Sequence, residues 1–456
     1  MENDLTSGSV FRNLVRFSLP YLLSYFLQTL YGLADLFIIG QYEGVASTTA
    51  VSVGSQIMHV LTVMLVGLAM GSTVTIGQAV GARDKKRSGT AVGNSFTLFM
   101  SLSVVLTLVL LVLRRPIVAV MSTPEEAVEG TVAYLTVCFI GIPFITAYNI
   151  ISSVFRGLGD SRSPMKFIAV ACAANIALDF LFMGALHMGP TGAALGTTLS
   201  QAVSVVVSLF FIRRHREALG VSRESFRPNR GVMKKLLAIG FPVAMQDGFI
   251  QISFLLITII VNRRGLIDAA AVGIVEKFMS FMFLVPSSML SAVSAIGAQN
   301  IGAGKPDRAK ATLRYAIYMA VGFGVTVSIL VQFISEPIVA LFTDASAADG
   351  AEVVRVGGEY LRGYIFDCLF GGIHFSFSGY FCARGKSGLS FLHNIIATLL
   401  VRIPGAYFTS KLFPATLFPM GISTSCGAVL SVIICVIACR IITGKDQRET
   451  PGAEIK

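Results

Sequence analysis

Residues 17–40 read FSLPYLLSYFLQTLYGLADLFIIG, an apolar run that is long enough to cross a bilayer and carries one carboxylate, Asp35. An aspartate inside a spanning helix costs about 2.5 to 3.5 kcal/mol on insertion scales, so we expect Asp35 to face a cavity or a partner. A helix rises about 1.5 Å per residue, which puts Asp35 about 28 Å beyond Arg16, in the far half of the membrane. Pro20 removes a helical hydrogen bond from the same run, and the sequence therefore predicts a hinge at this residue.

Composition extends this interpretation to the whole chain. Hydrophobic residues make up 54% of the sequence, charged residues make up 13%, and mean hydropathy is +0.74, whereas roughly a quarter of an average soluble domain is charged. The N-terminus has no cleavable signal pattern, so the first span is expected to be retained. The cysteines lack metal-ligand spacing and the glycines follow no phosphate-binding pattern. We therefore predict no cofactor, no enzyme activity and an ion gradient as the energy source, if any.

Apolar runs of about twenty residues predict an all-α polytopic membrane protein with twelve transmembrane helices. The predicted spans are 14–40, 48–76, 90–113, 130–155, 165–186, 191–212, 236–262, 269–297, 311–335, 355–382, 388–411 and 416–440.

Lysine and arginine residues mark one side of the membrane. They concentrate before the first span, after the even-numbered spans and at the C-terminus, whereas the opposite loops carry acidic residues such as Glu125 and Glu129. By the positive-inside rule both termini are cytoplasmic, which predicts a multi-pass protein of the cell membrane. The net charge of +11 then reflects topology, and no nucleic-acid partner is expected.

The chain contains an internal repeat. Residues 77–82 (GQAVGA) recur as 298–303 (AQNIGA), and at the same spacing 116–119 (PIVA) recur as 337–340. After the longer outer loop the spacing lengthens, so that FRGLGD at 155 is answered by FCARGK at 381. We therefore predict an N-lobe at 1–215 and a C-lobe at 236–456, joined by a basic linker at 216–235. Six spans are an even number, so the lobes share one orientation and are related by a pseudo-two-fold axis along the membrane normal, as in alternating-access transporters.

Polar residues of the first lobe lie at similar membrane depth. Asn175 and Asp179 are four residues apart and share one helix face. The rise per residue puts both near the depth of Asp35 in span one and Thr198 in span six. An all-oxygen cluster suits a proton or a hard cation such as Na+, and two carboxylates in a dry site repel until such an ion binds. The alternative is that Asn175 or Asp179 merely ties spans together.

In the second lobe Asp247, Glu276 and Asp367 are the carboxylates at membrane depth. They predict either a substrate site or a second cation site. Arg402 could form a structural ion pair with Asp367 or Glu276, or it could recognise substrate. His374 is interpreted as a packing residue.

These residues resemble the multidrug and toxic compound extrusion (MATE) family, bacterial type, over nearly the whole chain. The resemblance rests on RGLGDSRSP at 156–164, on Pro20, Gln28 and Asp35 in span one, on QAVGA at 78–82, and on Asn175 with Asp179 in span five. It implies twelve helices in two lobes, a V-shaped central cavity, and export of amphipathic, often cationic, small molecules in exchange for H+ or Na+. We also expect the protein to be a monomer. It also implies that the N-lobe cation site consists of Asp35, Asn175, Asp179 and Thr198. Asp247, Glu276 and Asp367 do not fall on the carboxylate pattern that some members use in the C-lobe.

Two other functions remain open. A flippase for lipid-linked oligosaccharides would need cations at membrane depth to hold a pyrophosphate headgroup, and here such residues are few. A channel or a membrane scaffold would show no saturable, gradient-dependent exchange.

Overall fold

The protein is described by a computed structural model over residues 4–214, 220–343 and 349–449. Every regular element in these ranges is helical, which confirms the predicted all-α class. The chain first forms α1 (Val10–Tyr42), α2 (Val45–Gly81), α3 (Lys85–Val120), α4 (Glu125–Ile140), α5 (Ile142–Gly157), α6 (Arg162–Asp179), a π-helical turn (Phe180–Ala185) and α7 (Gly189–Arg214). A short 3-10 helix (Arg223–Phe226) precedes α8 (Arg230–Asn262), α9 (Leu266–Met282), α10 (Leu284–Gly302), α11 (Pro306–Ala340), α12 (Gly350–Tyr364), α13 (Phe366–Ala383), α14 (Gly388–Ala397), a second π-helical turn (Thr398–Arg402), α15 (Ile403–Leu412) and α16 (Phe418–Glu449).

Within the described ranges, ten helical stretches are long and apolar enough to cross a membrane, and the bent pair α4–α5 makes an eleventh. The predicted span 355–382 falls on α12 and α13, which are separated at Ile365. Charged residues follow one another along α12: Glu352, Arg355, Glu359 and Arg362. The α12–α13 pair is not among the counted stretches. The chain is a multi-pass helical membrane protein.

A proline accounts for the bend of 47° between α4 and α5. Pro143 has no N–H to donate to the carbonyl of Phe139, one turn earlier. The hydroxyl of Thr107 in α3 donates to that carbonyl at 3.1 Å. The freed acceptor is thus satisfied by a side chain, as an apolar surrounding requires.

The chain divides into two compact units, and each has its own apolar core. The first unit is Met1–Ala244 with Ala298–Arg308, and the second is Met245–Gly297 with Ala309–Lys456. These boundaries fall inside α8, α10 and α11, and the lobes at 1–215 and 236–456 stay a prediction. Fully buried side chains in the two cores include Leu135 and Phe139 in the first and Tyr360 and Tyr364 in the second.

The repeated motif packs against its own copy inside the first unit. A Cβ on Gly81 would overlap the carbonyl oxygen of Gln299, and a Cβ on Gly302 would overlap the carbonyl oxygen of Gln78. Since these residues correspond pairwise in the repeat, each copy makes the same close approach to the other. Small residues let helix backbones approach in this way.

Gly81→Ala and Gly302→Ala are each expected to lower the melting temperature of the purified protein. The added methyl group would force the ends of α2 and α10 apart, and overpacking of this kind costs about 1 to 3 kcal/mol. Gly322→Ala is the matched control, because a Cβ on this helical glycine would meet nothing within 4 Å. Melting temperatures like that of the control in both variants would contradict the close packing.

The loop at 156–164 ends in a helix cap. Oδ1 of Asp160 accepts from the backbone N–H groups of Arg162 at 2.9 Å and Ser163 at 3.1 Å, and Oδ2 accepts from the Ser163 hydroxyl at 2.6 Å. Gly159 has a φ of +86°, a left-handed conformation that favours glycine. The loop therefore fixes the start of α6, the helix that carries two of the predicted site residues.

Candidate cation site and its relatives

Two buried carboxylates meet in the first unit. Asp35 of α1 is 4% exposed, and Asp179 at the end of α6 is fully buried. The Asp35 side chain interacts with the side chains of Asp179 and Asn175, so three residues predicted from the sequence come together. Like charges at such separation repel strongly when water is excluded, and this repulsion favours binding of a proton or a cation.

The hydroxyl that reaches this pair belongs to Thr197, whereas the sequence predicts Thr198. The Thr197 hydroxyl lies 3.1 Å from Oδ2 of Asp35 and 3.1 Å from the carbonyl oxygen of Ala193. The buried Thr198 hydroxyl lies instead against Gly141, where a Cβ would approach it to 2.7 Å. Thr197 is thus the threonine in contact with the carboxylate pair, and Thr198 packs against Gly141.

Several polar atoms of the cluster have no hydrogen-bond partner among the described residues. They are Oδ1 of Asp35, both oxygens of Asp179, both amide atoms of Asn175 and the hydroxyl of Thr198. Buried polar atoms are almost always paired, so a group of unpaired oxygens indicates a place for an ion or a proton. Carboxylate, amide and hydroxyl oxygens are suitable ligands for Na+, and each carboxylate can also hold a proton.

A glycine and a π-helical turn make room for Asp179. A Cβ on Gly196 of α7 would overlap Oδ1 of Asp179, so the carboxylate lies directly against the α7 backbone. The π-helical turn Phe180–Ala185 begins at the next residue, and such turns are frequent at functional sites. The local structure therefore places Asp179 where only a glycine could face it.

Thr197, Gly196 and Tyr31 also lie beside the carboxylate pair, and none of the three was predicted from the sequence as a site residue. Tyr31 lies one turn before Asp35 on α1 and interacts electrostatically with it. A spacing of four residues from Asp35 could have identified Tyr31. No group of three or more His, Cys, Asp or Glu side chains in the described ranges could hold a metal ion.

The carboxylates of the second unit surround an arginine. Nη2 of Arg402 lies 3.4 Å from Oδ2 of Asp367, and it donates to the Tyr364 hydroxyl at 3.0 Å. The guanidinium also lies over the Phe254 ring, 4.8 Å from its centroid. Glu276 is close enough to interact electrostatically with Arg402. Of the three predicted carboxylates, two therefore belong to one cluster.

The other polar residues of the second unit lie in a different environment. Asp247 is half-buried on α8 beside Cys382. The His374 ring packs 5.4 Å from the ring of His393, a residue that was not predicted from the sequence. Nε2 of His393 is 2.9 Å from the Ser378 hydroxyl.

The family model MatE matches residues 20–181 and 242–408. The chain belongs to the MatE family. The two matched stretches fall in the two copies of the internal repeat, and the first includes Asp35, Asn175 and Asp179. MatE proteins include multidrug efflux transporters, so the family points to transport rather than to an enzyme.

Curated relatives and solved structures agree with this membership. The chain is 30% identical to Probable multidrug resistance protein YoeA of Bacillus subtilis, over 73% of this chain and 74% of that protein. It is 25% identical to Multidrug export protein MepA of Staphylococcus haemolyticus, over 95% and 92% of the two chains. A solved structure described as an outward-facing conformation of a multidrug resistance MATE family transporter of the MOP superfamily has a TM-score of 0.90 at 22% identity, over 98% of this chain and 99% of that one. This last similarity shows the fold.

Proposed function

We propose that this MatE protein is a secondary active transporter that exports amphipathic, often cationic, small molecules in exchange for H+ or Na+. Asp35 and Asp179 bind the coupling ion, with Asn175 and Thr197 beside them. The protein acts as a monomer in the cell membrane with both termini in the cytoplasm. The named relatives above support small-molecule export as the activity.

One observation carries the proposal, namely the contact of two buried carboxylates whose free oxygens have no hydrogen-bond donor in the described part of the chain. The hydroxyl of Thr197 adds a proton-sensitive element, since it has one proton and two acceptors at 3.1 Å. It donates to Asp35 when that carboxylate is ionised. When Asp35 is protonated, Asp35 donates to Thr197 and the hydroxyl turns to Ala193.

Ion binding at this pair is coupled to a bend of α1 at Pro20. The helix continues through Pro20, although proline removes the hydrogen bond to the preceding turn. The Ser24 hydroxyl donates to the Pro20 carbonyl at 2.9 Å. Pro20, fifteen residues before Asp35 on the same helix, is the proposed hinge.

The available driving force is adequate for export. One proton that moves inward across 100 mV gains about 2.3 kcal/mol, and one pH unit adds about 1.36 kcal/mol. With a neutral substrate and one-for-one exchange, both together sustain roughly a 500-fold gradient. With a monovalent cationic substrate the exchange is electroneutral, and only the chemical part of the ion gradient drives it.

Efflux of a cationic amphipathic dye from proteoliposomes tests the proposal. The pH gradient and the Na+ gradient are imposed separately, and we expect one of them to drive saturable efflux against the dye gradient. An ionophore that collapses the driving gradient should abolish this efflux. Flux that follows electrodiffusion and shows no counterflow would instead indicate a channel and would overturn the proposal.

Two poorly exposed arginines, Arg156 and Arg402, favour this function over a flippase for lipid-linked oligosaccharides. Nη1 of Arg156 donates to the Tyr21 hydroxyl at 3.0 Å, and its guanidinium lies over the same ring. Arg402 is paired with Asp367. Both cations are therefore engaged by neighbouring side chains of their own unit, whereas a pyrophosphate headgroup would need cations that are available to bind it.

A further inference from the structure

The second copy of the repeat lacks the ion-binding residues of the first. Pro20 of α1 matches Pro242 of α8, and at this spacing Asp35 corresponds to Ile257. At the longer spacing that follows the outer loop, Asp179 corresponds to Gly405 and Thr197 to Ser423. A Cβ on Gly405 would lie 3.0 Å from Cβ of Ser423, so the positions that correspond to Asp179 and Thr197 face each other in the second unit. No carboxylate occupies either aligned position.

An arginine lies one helical turn before the position that corresponds to Asp179. Arg402 is the last residue of the second π-helical turn, and Asp179 directly precedes the first. A Cβ on Gly427 of α16 would approach Cβ of Arg402 to 3.1 Å, so a glycine of the last helix accommodates Arg402 as Gly196 accommodates Asp179. Arg402 therefore lies within one helical turn of the position aligned with Asp179, and its charge is opposite.

The guanidinium neutralises a carboxylate that could otherwise hold an ion. Arg402 and Asp367 have side chains that are only 13% and 2% exposed. Oε1 of Glu276 has no hydrogen-bond partner in the described ranges. Without the arginine, Asp367 and Glu276 would both be poorly solvated carboxylates that lack the cation with which each now interacts.

We propose that Arg402 is a fixed internal cation that takes the place of an exchangeable ion in the second unit, so that the transported ion is bound by the first unit alone. This inference rests on the proposed function only in assigning the coupling ion to Asp35 and Asp179. Arg402 thereby prevents the second unit from binding an ion, and removal of the arginine should create a cation site there.

Binding of 22Na+ to purified protein in nanodiscs at alkaline pH tests the inference. The starting protein is the Asp35→Asn/Asp179→Asn variant, in which the first unit can no longer bind an ion. We expect this variant to show no saturable Na+ binding, and we expect Arg402→Gln in the same background to gain it. Glu276→Gln or Asp367→Asn, added to Arg402→Gln, should abolish the gain. Arg402→Lys, which keeps a cation at this place, should not bind Na+.

Two results would overturn the inference. One is saturable Na+ binding in the Asp35→Asn/Asp179→Asn variant that disappears on Glu276→Gln, since Arg402 is intact in both proteins. The other is absence of Na+ binding in an Arg402→Gln protein that elutes as a single folded species. The first measurement does not require the Arg402→Gln variant to fold, so the inference can be tested even if that variant aggregates. A failure of the proposed function shows itself separately, as unchanged ion-coupled efflux in Asp35→Asn.

Discussion

Asp35→Asn is expected to abolish ion-driven efflux while leaving exchange of substrate for substrate measurable. An amide cannot take up the proton and is a weaker Na+ ligand than a carboxylate. Without Asp35, Asp179 also loses the like charge that makes ion binding favourable. We expect the rate of ion-driven efflux to fall on the order of a hundredfold or more, which corresponds to about 2.7 kcal/mol of lost coupling.

The measurement compares two modes in the same proteoliposomes. Net efflux against a gradient requires the coupling ion in the return step of the carrier, whereas exchange of labelled for unlabelled substrate does not. Retained exchange shows that the variant is folded and binds substrate. Glu126→Gln is the control, because Glu126 is an exposed carboxylate at the start of α4 and lies outside the site. Ion-driven efflux at the control rate in Asp35→Asn would remove Asp35 from the mechanism.

Membrane depth was predictable from the sequence because the rise per residue of a helix is fixed. It placed Asp35, Asn175 and Asp179 at one level, and the structure brings their side chains into contact. Helix rotation was not predictable from depth. Successive residues of a helix point about 100° apart, so a choice between Thr197 and Thr198 requires knowledge of how α7 packs against α1.

In the second unit, too, the sequence did not predict which side chains meet. The sequence left open whether Arg402 pairs with Asp367 or Glu276, or serves substrate, because these residues lie on three elements far apart in the chain. Packing decides the ion pair with Asp367. The contact between His374 and His393 joins α13 to α14, and neither residue belongs to a spacing pattern that would have indicated it.

The glycines illustrate what a repeat can reveal. The match between GQAVGA and AQNIGA was visible in the sequence, but its meaning was not. Gly81 and Gly302 each face a backbone carbonyl from the other copy of the motif. The repeated glycines therefore mark a packing contact between the two copies. Gly196 has no such signal, because the corresponding residue of the second copy is Ile422 and not a glycine.

Gly196→Ala is expected to impair ion coupling without removing any ionisable group. The new methyl group would occupy the space of Oδ1 of Asp179, and the carboxylate would have to rotate away from Asp35 or α6 would have to shift from α7. Overpacking of about 1 to 3 kcal/mol corresponds to roughly a 5- to 150-fold loss of ion affinity if the site bears the strain. The measurement is the concentration of the coupling ion that gives half-maximal efflux.

Gly32→Ala is the matched control for this substitution, since it adds the same methyl group on α1, three residues before Asp35, where a Cβ would meet nothing within 4 Å. We expect Gly32→Ala to keep the half-maximal ion concentration and Gly196→Ala to raise it, with substrate exchange retained in both. If the strain were instead relieved by a shift of whole helices, the melting temperature would fall and the ion dependence would stay the same. That result would mean that the position of the Asp179 carboxylate against α7 is a packing detail, and that the geometry of the carboxylate pair is set by α1 and α6 alone.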